Sequence, residues 1–171
     1  MIVRIFLAMA TAGFAIASAL HLVTFTRDLW PAGDGPVLLL LAGAFVLLIA
    51  MVARLRRADA PTVSWRRFRF YDWRALVSLV PPPVRGIALA TLLYVLLNSA
   101  LSLVMGAGAS LTASDGKFYL GEAGAERREI SRDEYDARHR LSTRLYSGHL
   151  LLFYLVPLVY FRFVDHRLSE R

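Results

Sequence analysis

The chain contains no cysteine in its 171 residues. This absence excludes disulfide bridges, thiolate metal sites, covalently attached c-type haem and a lipidated N-terminal cysteine. The sequence also contains no H-E-x-x-H pair, no Walker A loop and no protein-kinase signature, so three common catalytic frameworks are missing. Internal repeats and low-complexity tracts are absent as well, which predicts a single domain over residues 1–171.

Charge is missing from four long stretches of the chain. They are Ile5–Thr26, Gly35–Ala53, Gly86–Ser114 and Leu145–Phe161. A helix needs about 20 apolar residues to cross the hydrocarbon core of a bilayer, and each stretch is long enough. The hydrophobic content of 57% exceeds the roughly 45–50% of an ordinary soluble domain. The sequence therefore predicts an all-α integral membrane protein, a bundle of four transmembrane helices.

The distribution of arginine predicts how this bundle is oriented. Residues 27–35 contain one arginine and two aspartates, whereas residues 54–85 contain eight arginines and two aspartates. Short loops rich in Lys and Arg stay in the cytoplasm, so both termini are predicted to lie inside. We expect the chain in the cytoplasmic (inner) membrane of a bacterium. The same rule explains the net charge of +7, so we expect no nucleic-acid partner.

The predicted boundaries follow from the uncharged stretches and the loops between them. The four transmembrane helices are predicted at 5–26, 36–53, 86–106 and 145–164, the cytoplasmic loop at 54–85 and a periplasmic module at 115–144. The small residues Ala17-Ser18-Ala19 leave open an alternative in which the first span is a cleaved signal peptide. We expect the span to be retained, because its apolar run continues to Phe25.

The cytoplasmic loop interleaves aromatic residues with arginines, which is typical of a membrane-surface segment. Asp72 can cap a short helix that ends at the prolines Pro81–Pro83. We expect this helix to lie in the membrane interface, with arginine side chains on anionic lipid headgroups. The arginines concerned are Arg66, Arg67, Arg69 and Arg74. A docking face for a cytoplasmic protein is the alternative interpretation.

The periplasmic module shows a strand pattern and then a helix pattern. Residues 117–120 and 127–130 flank a glycine-bearing turn, which predicts a small β-hairpin. Ser131 and Glu134 match a capping box, so a helix is predicted to start there and to run unbroken into the fourth span. An isolated hairpin is only marginally stable in water. We therefore expect it to pack on the bundle or on a partner.

Charges and a proline refine the prediction for this long fourth helix. Opposite charges four residues apart predict the ion pairs Glu134–Arg138 and Asp136–Arg140. Pro157 is predicted to kink the helix inside the membrane.

Two histidines lie within the predicted spans, where ionisable residues are costly and are functional candidates. His21 and His149 each lie about four residues from the outer end of their span, so we place both roughly 6 Å below the outer boundary. Helical spacing places Tyr146 beside His149, and the third span adds Ser102 at similar depth and Asn98 deeper. These five side chains form the predicted cofactor-binding or polar site.

The first span also predicts which of its faces points into the bundle. Ala10, Gly13 and Ala17 lie on the same helical face as His21 and Thr24. Small residues let helices approach closely in lipid, so this face is predicted to be buried.

Several functions are compatible with these patterns. The leading prediction is a non-enzymatic accessory protein that engages a protein partner or a second copy through its periplasmic hairpin and helix. The alternative is a small redox or metal-binding protein in which His21 and His149 bind haem b, a quinone or a metal ion. A third interpretation uses both histidines only as hydrogen-bonding contacts between helices. A transport or channel subunit would need a hydrated path near Asn98.

Overall fold

The computed structural model describes residues 2–26, 35–58, 76–107, 109–121 and 127–165. In chain order the elements are α1 (Ile2–Val23), α2 (Gly35–Ala58), α3 (Pro82–Val104), β1 (Ser110–Ser114), β2 (Lys117–Gly121), β3 (Arg128–Ile130) and α4 (Arg132–Val159), which continues as a π-helical turn at Tyr160–Val164. The four helices are long and apolar enough to span a membrane. The prediction of four helices of this kind is therefore confirmed.

Part of the cytoplasmic loop lies outside the described residues. This part includes Asp72 and the arginines predicted to contact headgroups, Arg66, Arg67, Arg69 and Arg74. Of the helix predicted before the prolines, residues 76–78 are described and are helical, and the chain turns at Leu79 and Val80.

Two helices extend beyond their predicted boundaries at the end of the bundle that carries Arg54, here called the arginine end. α2 continues five residues past the predicted end at 53, because arginine is a good helix former and its charge does not stop a helix. α3 begins at Pro82, four residues before the predicted start at 86. Proline is favoured in a first helical turn, where its missing N–H group needs no partner.

The opposite end of α3 is closed by a Schellman motif. Gly106 has a φ of +93°, the left-handed conformation that glycine adopts at low cost. The Ala107 N–H donates to the Ser102 carbonyl at 2.9 Å, and the Gly106 N–H donates to the Leu103 carbonyl at 3.0 Å. This motif ends the helix two residues before the predicted position and directs the chain into the sheet.

α4 is the central helix of the bundle and contacts α1, α2 and α3. Tyr154 shows how closely the helices approach. Its ring lies against Gly13 of α1, where an added Cβ would overlap the ring, and its hydroxyl donates to the Leu40 carbonyl of α2 at 2.6 Å. A glycine is therefore required at position 13 to let α1 and α4 meet.

The buried face of α1 is the predicted one. Ala10, Gly13, Ala17 and His21 are all buried, and Thr24 is buried just beyond the end of the helix. The prediction from small-residue spacing is confirmed for this helix.

The outer surface of the bundle is strongly apolar. Large hydrophobic side chains on α1, α2 and α3 point outward, and Leu39 and Val104 are 76% and 87% exposed. A water-facing helix would carry polar residues on that side. This apolar exterior fits a lipid environment and supports assignment as a membrane protein.

The predicted hairpin is part of a three-stranded antiparallel sheet in the order β1-β2-β3. β2 pairs with β3 as predicted, with Phe118 opposite Ile130. β1 was not predicted, because its residues continue the uncharged stretch of the third span. A two-residue turn joins β1 to β2 at Asp115 and Gly116, whose φ angles of 53° and 76° are both positive, as hairpin turns of type I′ require.

The sheet lies at the other end of the bundle from Arg54, here called the sheet end, and it packs on the start of α4. The Phe118 and Tyr135 rings are 4.8 Å apart between centroids. Arg128 donates to Glu134 at 2.7 Å. The Lys117 ammonium donates to Glu129 across β2 and β3 at 3.2 Å, which raises the pKa of Lys117 above its usual value. The sheet and α4 therefore form one module.

The start of α4 agrees with the predicted cap. The Ser131 Oγ accepts a hydrogen bond from the Glu134 N–H at 3.2 Å. The Glu134 carboxylate accepts from Arg138, which is the first predicted ion pair. The second predicted pair is wrong, because Asp136 pairs with Arg132, one turn before it, instead of with Arg140.

The far end of α4 contains a proline and a π-helical turn, and the kink at Pro157 stays a prediction. Pro157 lies inside the helix, and a π-helical turn at Tyr160–Val164 follows it. Beyond that turn, the Asp165 carboxylate accepts two hydrogen bonds from Arg54 of α2, both at 3.0 Å. This bidentate pair joins α2 and α4 at the arginine end.

Candidate functional site

His21 is the centre of a buried polar cluster near the sheet end of the bundle. Its side chain is fixed through both ring nitrogens. Nδ1 is 2.8 Å from the Ser147 Oγ on α4, and Nε2 is 2.5 Å from the Tyr94 hydroxyl on α3. Only 4% of His21 is exposed. One imidazole thus joins three helices.

The hydrogen bonds around Ser147 favour one tautomer of His21. The Ser147 hydroxyl donates to the Arg144 carbonyl at 3.3 Å, so its oxygen accepts from His21. His21 then carries its proton on Nδ1, and Nε2 accepts a hydrogen bond from the Tyr94 hydroxyl. This arrangement satisfies a neutral imidazole completely.

Arg144 extends the cluster toward the sheet end. Its guanidinium donates to the Thr24 carbonyl at 2.9 Å and lies 4.0 Å from the centre of the Phe25 ring. The Thr24 hydroxyl donates in turn to the His21 carbonyl at 2.6 Å. These bonds close the end of α1, where backbone carbonyl groups lack helical partners.

Asn98 joins the same cluster from α3. Its side-chain amide donates to the Arg144 carbonyl at 3.1 Å. A Cβ added to Gly148 would lie 2.6 Å from the Asn98 Nδ2 atom and 3.7 Å from the His21 Cε1 atom. Gly148 therefore makes room for both polar side chains. Ser102 is also buried on α3, four residues nearer the sheet end.

His149 and Tyr146 lie apart from this cluster. His149 Nδ1 is 2.8 Å from the Leu145 carbonyl of its own helix, and Nε2 is 3.5 Å from the Ser99 Oγ. Tyr146 is 57% exposed on the outside of the bundle. The structure therefore brings His21 and Asn98 together, but it does not place His149 or Tyr146 beside His21.

The predicted site grouped His149 and Tyr146 with His21, and the central position of α4 explains why the structure separates them. Ser147 and His149 are two residues apart, which is about 200° around a helix, so they face opposite sides. Spacing alone identifies the buried face of a helix that packs on one side only. α4 packs on three helices, and its polar residues point in several directions.

Sequence reasoning missed Ser147, Thr24 and Arg144 as members of the cluster. The sequence pattern places Arg144 in the periplasmic module at 115–144, because its charge precedes the uncharged stretch that starts at Leu145. One available signal was that Arg144 directly precedes the uncharged stretch. A long basic side chain at such a boundary can pack along the helices while its charged group stays in the polar region. Tyr94 lies four residues before Asn98 on α3, so helical spacing places both side chains on one face of that helix.

The chemistry open to this cluster is limited by its own hydrogen bonds. All four ring nitrogens of His21 and His149 lie near protein partners, so binding a haem iron or a metal ion requires breaking these contacts. Within the described ranges, no three His, Asp or Glu side chains are grouped to hold a metal ion. The Ser147 hydroxyl is hydrogen-bonded to His21, as a serine nucleophile would be to its base. It is fully buried, however, so a substrate cannot reach it. The cluster is therefore best suited to joining α1, α3 and α4.

Comparisons of the chain with protein-family models, curated proteins and solved structures gave no match.

Proposed function

We propose that this chain is a multi-pass membrane accessory protein whose sheet binds an extended segment of a partner protein. The outer edge of β1 carries this proposal. β1 is an edge strand in the order β1-β2-β3. An edge strand presents backbone N–H and C=O groups that can pair with a strand from another chain.

The register of the hairpin identifies the groups available for pairing. In an antiparallel pair, alternate residues direct their backbone groups toward the neighbouring strand. The two-residue turn makes Ser114 and Lys117 a hydrogen-bonded pair. The N–H and C=O groups of Ala113 and Leu111 therefore point away from β2, toward the edge on which none of the described strands pairs.

β1 also lacks two of the features that protect edge strands from pairing. It contains neither a charged residue nor a proline, and both of these discourage edge-to-edge contact. β3, at the other edge, has only three residues and carries Arg128 and Glu129. This difference favours β1 as the binding edge.

A partner bound at β1 would be held in a fixed position relative to the bundle. The Ser142 hydroxyl of α4 donates to the Ala107 carbonyl, between α3 and β1, at 2.8 Å. The sheet is also fixed to α4 by the contact between Phe118 and Tyr135. A rigid support reduces the entropy lost when a partner binds.

We further propose that the sheet faces the periplasm and that the arginine end faces the cytoplasm of a bacterial cell. The support is the arginine-rich segment 54–85 beside the balanced charge of residues 115–144. This orientation gives β1 access to periplasmic partners.

Site-specific photo-crosslinking in intact cells tests the partner proposal. A photoreactive amino acid at Leu111 is expected to give a protein adduct of discrete mass, and the same residue at lipid-facing Leu39 serves as the control. Ala113→Pro removes an outward N–H group without removing a bond to β2, so it is expected to abolish the adduct. An adduct that persists in Ala113→Pro, or no adduct at Leu111, would overturn the proposal. An adduct of twice the chain mass would identify a second copy as the partner.

The redox alternative has a separate and direct test. The purified protein is expected to show no haem absorption band and no stoichiometric metal. A haem band or bound metal that disappears in His21→Ala would replace the accessory proposal with the redox function.

A further inference from the structure

An apolar cavity of about 410 Å³ lies between α2, α3 and α4 in the half of the bundle near the arginine end. In the described part of the chain, α2 and α3 each pack on α4 but form no extended interface with each other. This arrangement leaves a groove beside α4, and the segment from Leu76 to Val80 lines one part of it.

The cavity is lined almost entirely by hydrocarbon side chains. Its walls include Met51 of α2, Ala88 of α3 and Leu155 of α4. Val77 and Val156 also line it, yet they remain 44% and 40% exposed, so the cavity is open to its surroundings. In a membrane, an open apolar groove of this kind is in contact with lipid chains.

The length of the groove matches one lipid leaflet. Its wall on α4 extends from Leu152 to Val164, which is roughly 18 Å at 1.5 Å per residue. One leaflet contributes about 15 Å, half of the hydrocarbon core of the bilayer. A transmembrane helix of a second copy needs a groove through both leaflets, so a single acyl chain is the better fit.

Arg85 is the only charged residue among the described residues that line the cavity. It lies in the first turn of α3, and its Nε donates to the Val80 carbonyl at 2.7 Å. This bond fixes the guanidinium beside the groove while the side chain remains exposed. The planar guanidinium has further N–H donors, and their geometry suits a phosphate group.

We propose that this cavity binds one anionic glycerophospholipid, with an acyl chain along α4 and the phosphate on Arg85. The hydrophobic wall supplies affinity for the chain, and the arginine supplies preference for negative charge. This site is separate from β1 and does not depend on the proposed partner.

Native mass spectrometry of the full chain in detergent tests the headgroup preference. The probes are dioleoyl phosphatidylglycerol and dioleoyl phosphatidylcholine, which differ in net charge but have the same chains. The parent protein is expected to retain one phosphatidylglycerol in preference to phosphatidylcholine. Arg85→Gln is expected to reduce that preference about fivefold. The matched control is Arg4→Gln, which removes an exposed charge from the same end of the bundle, and it is expected to leave the preference unchanged.

A second pair of variants tests the cavity itself. Ala88→Trp fills the groove and is expected to eliminate the retained lipid. Leu103→Trp is the control, because it lies on the same helix, outside the cavity and exposed. If Ala88→Trp does not fold, Arg85→Gln decides the question alone. Equal binding of the two lipids by the parent, an unchanged preference in Arg85→Gln, or lipid retained in a folded Ala88→Trp would refute the proposal. A protein dimer that Ala88→Trp abolishes would assign the groove to a second copy instead.

Discussion

At the scale of the single residue, the two histidines differ in what they join. His21 bonds side chains on two other helices, whereas His149 bonds its own helix and makes one long contact with Ser99. Hydrogen bonds between helices in membranes contribute on average about 0.6 kcal/mol each, with a maximum near 1.7 kcal/mol. The position of a histidine in the sequence therefore does not predict how much its side chain stabilises the bundle. That contribution depends on the partners to which the side chain bonds.

We expect His21→Ala to lower the free energy of unfolding by about 1–2 kcal/mol. Two interhelical hydrogen bonds are lost, and the hydroxyl groups of Ser147 and Tyr94 lose their partner. His149→Ala is expected to change it by less than about 0.5 kcal/mol. Equilibrium unfolding in mixed detergent measures both. Equal effects, or a larger effect for His149→Ala, would show that the cluster around His21 does not hold the bundle together.

Glycine at position 13 provides the second prediction at this scale. Gly13→Ala is expected to destabilise the protein by about 1–3 kcal/mol, since the new methyl group overlaps the Tyr154 ring. Gly86→Ala is the matched control, because no atom lies within 4 Å of its added Cβ. Thermal unfolding in detergent compares the two variants. A Gly13→Ala protein as stable as Gly86→Ala would contradict the close packing of α1 on α4.

The surroundings of His21 were predictable from the sequence only in part. The buried face of α1 was predictable, because small residues and His21 recur at helical spacing on one side. The partners of His21 were not predictable, because Ser147 lies on a helix buried on several sides. A depth argument placed His21 and His149 at one level but could not determine which side of α4 faces α1.

At the scale of the element, the β1–β2 turn depends on glycine. Gly116→Ala is expected to cost about 1–2 kcal/mol, because a side chain is strained at a φ of +76°. Amide hydrogen exchange in residues 110–121 is then expected to accelerate about 5- to 30-fold, while exchange in α1 stays unchanged.

The control for this turn is Gly121→Ala at the end of β2. Its added Cβ would lie 3.6 Å or more from its neighbours, which is ordinary contact. Exchange in the sheet is expected to stay close to that of the parent. Similar acceleration in both variants would mean that the turn conformation is not what stabilises the hairpin.

The elements also show why their boundaries were harder to predict than their number. Uncharged stretches mark where a helix can lie in lipid, but a helix continues where charge begins, as α2 does through Arg54. β1 was missed because Ser110–Ser114 contains no charge and follows the third span directly. The Asp115-Gly116 pair was the available signal, since this pair favours a two-residue hairpin turn.

At the scale of the whole molecule, the proposed orientation can be tested by labelling single cysteines. The chain has no native cysteine, so each introduced thiol reports one position. Ser114→Cys at the sheet end is expected to react with a membrane-impermeant maleimide in cells with a permeable outer membrane. Ser78→Cys, also exposed and at the arginine end, is expected to react only after the inner membrane is opened. The reverse pattern would invert the topology, and equal labelling of both thiols in sealed cells would contradict a membrane-spanning bundle.

The order of the helices along the chain has a consequence for biogenesis. α3 packs mainly on α4, and the sheet and α4 follow it in the sequence. If α3 enters the bilayer as it leaves the ribosome, α4, whose Arg144 carbonyl accepts the hydrogen bond from Asn98, has not yet been synthesised. Until α4 is synthesised, the side-chain amide of Asn98 is exposed to lipid without its α4 acceptor, or it is shielded by the insertion machinery. We therefore expect translation of α4 to be the step that commits the protein to its fold, and chains halted before residue 132 to be substrates for membrane proteases.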